Sequence, residues 1–176
     1  MSNLAPTFEL LAADGPDDAY RSQLMQFGRL VGSWDLEASF FDEDGTEERM
    51  SAEWHWDWIL GGRAIQDVMV FPARSSSLPE GSSYRYGTSI RLYDAMGELW
   101  RVVWIAPESG TVFKLTGVFS EDEAVVLNGD PNDGEPTKWI FSQVTDDSFL
   151  WEGFVQDDPS SEWRLIQRMT ARRVNS

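Results

Sequence analysis

Cysteine is absent from the 176 residues, which removes a disulfide framework, a thiolate metal site and a cysteine nucleophile together. Histidine is nearly absent: His55 is the one imidazole, so any acid–base or metal chemistry built on imidazole has to use it. Basic side chains are scarce, 14 against 30 acidic ones, and the formal net charge is −16. A field of that sign repels phosphate backbones and anionic bilayers, so neither nucleic acid nor membrane is expected as a partner. Solubility is the simplest meaning of such a surface. No run approaches the roughly 18 apolar residues that span a bilayer. Residues 1–18 lack a basic stretch followed by an apolar one, so no secretory signal is expected and the expected location is the cytoplasm. No internal repeat is found.

Aromatic residues, by contrast, are plentiful: 9 Trp and 10 Phe in a chain that is 41% hydrophobic. At roughly 25 cal/mol per buried Å² such a chain can offset the entropy of ordering one core, and its length suits one domain. Residues 17–173 are expected to form that domain, and residues 1–16 a flexible tail. From Asp17 to Val31, Tyr20, Leu24, Phe27 and Leu30 or Val31 recur at helical steps. Asp17 and Asp18 suit the start of a helix, and Gly32 its end.

Beyond Gly32 the pattern changes to short runs of Val, Ile, Phe, Tyr and Trp. The runs are 34–41, 51–60, 64–71, 84–93, 99–106, 111–119, 124–128, 138–144, 148–155 and 162–171, about ten strands in all. Asp44-Gly45, Gly61-Gly62, Met96-Gly97, Ser109-Gly110, Asn128-Gly129 and Asp146-Asp147 supply tight reversals between them. Residues 72–83 and 130–137 read as longer loops. Consecutive hairpins without a second helix leave exposed edges unless the sheet closes, so the expected fold is an all-β, antiparallel up-and-down closed barrel with one N-terminal helix. A β-sandwich is the alternative.

Side chains alternate across a strand. In residues 51–60, Trp54, Trp56 and Trp58 share one face, and Glu53, His55 and Asp57 share the other. Trp100, Val102 and Trp104 oppose Arg101, Val103 and Ile105. Tyr84, Tyr86, Thr88 and Ile90 oppose Arg85, Ser89 and Arg91, and Phe149, Trp151 and Val155 oppose Glu152 and Gln156. The aromatic faces are expected to point inward. Their simplest role is to fill the barrel, but rigid apolar walls with an occasional N–H also suit a pocket for a flat or greasy ligand.

The segment LVGSW at Leu30–Trp34 resembles the Gly-x-Trp opening of lipocalin-like (calycin) barrels. WDWILGGRAIQD at Trp56–Asp67, YGTSIRLYDAMGELWRVVW at Tyr86–Trp104 and EWRLIQRMTARR at Glu162–Arg173 extend the likeness. Together they resemble a bacterial lipocalin-like family catalogued as a domain of unknown function. The resemblance implies a barrel with a short helix closing one end, a small hydrophobic ligand and no established reaction. It also implies an Arg of the last strand, Arg168 or Arg173, packed on the Trp34 ring. A related group of small barrels binds haem through a His near its C-terminal end. His55 lies in the second strand, so haem is not carried over and no cofactor is expected.

Glu53, His55 and Asp57 are the candidates for metal ligation or acid–base work should that face turn inward; a solvated face explains them more simply. Gly61-Gly62-Arg63 lacks the following helix and the Lys-Ser/Thr of a phosphate loop. Ser33, Ser89 and Ser142 lack a nucleophile-elbow context, and a triad would have to borrow His55. Arg164 and Arg168 share a face; turned inward, they would favour an acid ligand, and turned outward they pair with surface acids. The leading expectation is a barrel that binds a small apolar or aromatic ligand among Trp56, Trp58, Tyr86, Trp104 and Trp151, with Arg168 nearby. The alternatives are an isomerase, cyclase or decarboxylase using His55 with Glu53 or Asp57 in the cavity, and an interaction protein that forms a homodimer through an exposed apolar patch.

Overall fold

A computed structural model describes residues 5–120, 124–158 and 160–174. A short helix, α1 (Pro6–Leu11), precedes a 3₁₀ turn at Asp18–Tyr20 and a second helix, α2 (Arg21–Gly28). Ten strands follow: β1 (Gly32–Phe41), β2 (Glu47–Ile59), β3 (Ala64–Phe71), β4 (Arg85–Asp94) and β5 (Leu99–Ala106), then β6 (Thr111–Phe119), β7 (Val125–Gly129), β8 (Thr137–Ser142), β9 (Ser148–Val155) and β10 (Arg164–Arg173). Each pairs antiparallel with its sequence neighbour, and β1 pairs with β10 to close the barrel. The closing register runs from Trp34 opposite Arg173 to Phe40 opposite Gln167, so no strand edge is left open to solvent.

The helix expected over Asp17–Val31 is divided in two. Asp17 caps the 3₁₀ turn by accepting the Ala19 N–H at 2.7 Å, and α2 carries the apolar stripe. Leu24, Phe27 and Leu30 are buried against the barrel. Where the sequence offers only a tail, residues 5–16 form α1 and a β-bridge between Ala12 and Ile59. That segment is tied to β2 by Ala13 N–H to Trp58 O, 3.0 Å, and by Leu60 N–H to Leu11 O, 2.9 Å. The reason is that the end of β2 would otherwise leave these backbone groups without partners.

Alternation then builds the interior. Trp54, Trp56 and Trp58 from β2, Trp100 and Val102 from β5, and Phe149 and Trp151 from β9 all point inward and are buried. The rings interlock at 4.7–6.4 Å in mostly tilted or edge-to-face arrangements, the geometry that aromatic quadrupoles favour. Phe27 of α2 plugs one end, edge-on to Trp100 at 4.9 Å and to Phe141 at 5.5 Å.

Arg173 locks this plug to the barrel. Its guanidinium lies 4.1 Å from the Trp34 ring and donates to Val31 O at 2.8 Å and Arg29 O at 2.6 Å. Trp34 Nε1 donates to Leu30 O at 2.8 Å. Between them, two side chains satisfy three carbonyls at the helix-to-strand junction, a place where helices leave acceptors unpaired. Gly32 makes this possible: its φ is +128°, and a Cβ there would lie 2.7 Å from Arg173 Nη1.

Candidate functional site

With α2 across one end, the opposite end is open. On the side that carries the cleft it is formed by the start of β10, the end of β1, the start of β2, the end of β3, the start of β4 and the end of β5, with β6–β9 completing the ring. A cleft of about 360 Å³ occupies it, walled by Phe40, Phe71, Trp104 and Ala106 and rimmed by Arg85, Glu108 and Gln167. Phe40 and Phe71 meet edge-to-face at 5.7 Å. Trp104 is half-buried and its six-membered ring packs against Gly87, where a Cβ would fall 2.2 Å from the ring. Only glycine leaves space for the indole in this position.

From the mouth the rings continue inward. Trp104 touches Trp139 at 5.6 Å, Trp139 touches Trp151 at 5.4 Å, Trp151 touches Trp54 at 6.3 Å and Trp54 touches Trp56 at 4.8 Å. The indole N–H groups of Trp56 and Trp151 are buried without acceptors among the described residues.

Near the plugged end sits a charge pair. Asp67 of β3 and Arg91 of β4 are both fully buried and form an ion pair through Oδ2 and Nη1. Asp67 Oδ1 also accepts the Trp54 Nε1 hydrogen at 2.8 Å. The Arg91 guanidinium stacks 4.2 Å from Trp56, with Phe27 at 5.3 Å and Phe141 at 5.7 Å. Burial pulls the Arg91 pKa down; the Asp67 carboxylate and three ring faces offset that pull. Its Nε and Nη2 have no acceptor among the described residues, nor has the buried Ser89 Oγ a partner.

The outer face of β2 carries the second polar cluster. Ser33 Oγ lies 2.9 Å from His55 Nδ1, and His55 Nε2 lies 3.1 Å from Glu53 Oε2. Arg74, from the β3–β4 loop, completes it: Nε donates to Glu53 Oε2 at 2.8 Å, its backbone N–H donates to Oε1, and Nη2 reaches His55 Nε2 at 3.1 Å. Burial pushes the Glu53 carboxyl up, but hydrogen bonds from Arg74 and His55 outweigh it and leave the pKa below its ordinary value. The Glu53 charge is therefore committed to Arg74, and the cluster fastens a loop to the sheet. Asp57 is exposed beside it.

Several expected residues thus part company. Trp56, Trp58 and Trp151 point inward and are buried, while Trp104 reaches the open cleft. Tyr86 is 46% exposed and borders the open cleft from its rim; β4 is turned the other way from the expectation, and Gly87, Ser89 and Arg91 face in and are buried. Arg168 is also outside, donating to Glu152 from Nε at 2.9 Å and Nη2 at 2.8 Å. Its partner comes from the neighbouring strand, where Arg168 and Glu152 stand directly opposite. Arg164 pairs with Asp157 at 3.3 Å. Of the two arginines expected to serve Trp34, Arg173 is the one that does so. Glu53, His55 and Asp57 lie outside the barrel, so a reaction using them within a cavity is not supported. Asp67 is the one charge in the otherwise apolar β3, whereas Arg91 is one of three charged residues in β4, so the sequence does not mark the two as partners.

No family model and no curated protein matches the chain. Among solved structures it is similar to the S-type phycobiliprotein lyase CPES from Guillardia theta, with 14% identity over 85% of this chain and 91% of that one, TM-score 0.60. It is also similar to Rv2717c from M. tuberculosis, with 12% identity over 91% and 99% of the two chains, TM-score 0.65. These likenesses show a shared fold, which in this chain is a closed ten-strand antiparallel barrel. No helix among the described residues is long and apolar enough to cross a membrane.

Proposed function

We propose that this protein binds a small apolar or aromatic molecule at the open end of the barrel, seated on Trp104 and against the Phe40–Phe71 pair. One observation carries the reading: a plugged, ring-filled barrel keeps a 360 Å³ aromatic cleft at its other end. A concave apolar surface with a few polar groups at its rim is what small-molecule sites share. The motif resemblance to the bacterial lipocalin-like family supports the same reading. Trp139 and Trp151 stand behind Trp104 as a second layer of rings, so they would shape the floor of the seat. Trp56 and Trp58 would serve only through the packing that supports it.

The test is titration with the neutral fluorophore N-phenyl-1-naphthylamine, followed by its own emission and by quenching of tryptophan. Saturable binding is expected, and Trp104→Leu should weaken it by about tenfold, the loss of roughly 1.4 kcal/mol of aromatic contact. Absence of saturable binding, or unchanged binding in a folded Trp104→Leu variant, would remove the proposal.

A further inference from the structure

Arg85 stands at the rim of the open cleft. It opens β4 with the same inward parity as Gly87, Ser89 and Arg91. Its guanidinium extends across the barrel mouth toward β2, where Nη2 meets Met50 Sδ at 3.5 Å. A thioether is a weak acceptor, and Arg85 has no carboxylate within ion-pair distance among the described residues. Acids outnumber bases by 30 to 14 in the chain, and Arg21, Arg49, Arg63, Arg74, Arg101 and Arg168 all hold an acidic partner; Arg85 is the cleft-lining base that does not.

Two neighbours sharpen the point. The side-chain amide of Gln167 lines the same cleft from β10 and has no hydrogen-bond partner among the described residues. Glu108, the acid nearest in the lining, accepts the Tyr86 backbone N–H at 3.1 Å rather than pairing with Arg85. The mouth therefore presents a fork of N–H donors with no oxyanion partner and a free amide beside an aromatic wall.

Building on the binding role proposed above, we infer that the ligand is an apolar or aromatic anion. Its carboxylate, or an equivalent oxyanion, is held by Arg85 with Gln167, and its rings or chain lie over Trp104, Phe40 and Phe71. A guanidinium binds a planar oxyanion through two parallel N–H bonds, which fixes orientation as well as charge. Specificity for acids over neutral analogues would then come from this one rim residue.

The experiment compares two fluorophores of similar ring content: the sulfonate 8-anilinonaphthalene-1-sulfonate and the neutral N-phenyl-1-naphthylamine. In the parent protein the sulfonate should bind more tightly, and its affinity alone should fall as salt is raised, by screening. Arg85→Gln should weaken the sulfonate by about tenfold, the order of one charge-assisted contact, and change the neutral probe by less than about twofold. Glu108→Gln should strengthen the sulfonate, since it removes an opposing charge. If the neutral probe binds but Arg85→Gln leaves the ratio of the two affinities unchanged, the anion inference is overturned while the binding role stands. If neither probe binds, both are overturned.

Discussion

Replacing Arg91 by Met is the sharpest test of how the barrel interior is organised. Methionine keeps most of the side-chain length and its polarizable contact with Trp56, so the cavity left behind is small. What is lost is the counter-charge of Asp67, which stays fully buried with one hydrogen bond, from Trp54 Nε1. Breaking a buried pair in this way costs about 3–5 kcal/mol. For a domain of this size that corresponds to a fall in Tm of roughly 6–20 °C. Equilibrium urea unfolding read by tryptophan emission measures it, because Trp54 and Trp56 flank the pair. Converting both residues, Asp67→Leu with Arg91→Met, should recover most of the deficit. Removing both charges is neutral or stabilising by about 1–4 kcal/mol, against about 1–3 kcal/mol for the orphaned Trp54 N–H. A single-variant loss below about 1 kcal/mol, or a double variant no better than the single one, would refute the reasoning.

Arg173→Ala should destabilise the protein by about 2–4 kcal/mol, since the carbonyls of Arg29, Val31 and Asp146 lose charged donors and Trp34 loses its stacked cation. Arg173→Lys should recover less than half, because an ammonium cannot reproduce the planar fork; thermal unfolding followed by circular dichroism decides this. Glu53→Gln should lower Tm at pH 7. Its carboxyl titrates below the ordinary value of 4.5 in the folded state, so its contribution is present above that pH and fades as the pH drops through the folded pKa. The Tm gap between parent and variant should therefore close on acidification; a gap that is constant with pH would show that Glu53 contributes nothing through its charge.

Much of the architecture follows from local chemistry. Turn residues such as Asp44-Gly45 and Gly61-Gly62 mark the hairpins, and the ends of β3, β5, β6 and β9 coincide with the apolar runs. In β2 the alternation of indoles and charges leaves one economical orientation, since burying Glu53, His55 and Asp57 while exposing three indoles would be costly on both faces. The resemblance to lipocalin-like barrels implied that Arg168 or Arg173 packs on Trp34; closure of the barrel sets Arg173 opposite Trp34 and so decides between them.

In β4 the sequence by itself determined the two alternating sets but not which set turns inward. Tyr86, Thr88 and Ile90 are the more apolar set, yet Gly87, Ser89 and Arg91 face the core. Tertiary structure decided this through two partners distant in sequence. Asp67 sits in the adjacent strand beside Arg91 and neutralises it, and the Trp104 ring needs the bare backbone of Gly87. A buried guanidinium is prohibitive alone and tolerable when paired and enclosed by rings, so the orientation of one strand depended on what its neighbours brought to it. The same dependence set the chemistry of the open end: Arg85 belongs to the inward set, and its position over the mouth follows from the turn that buried Arg91.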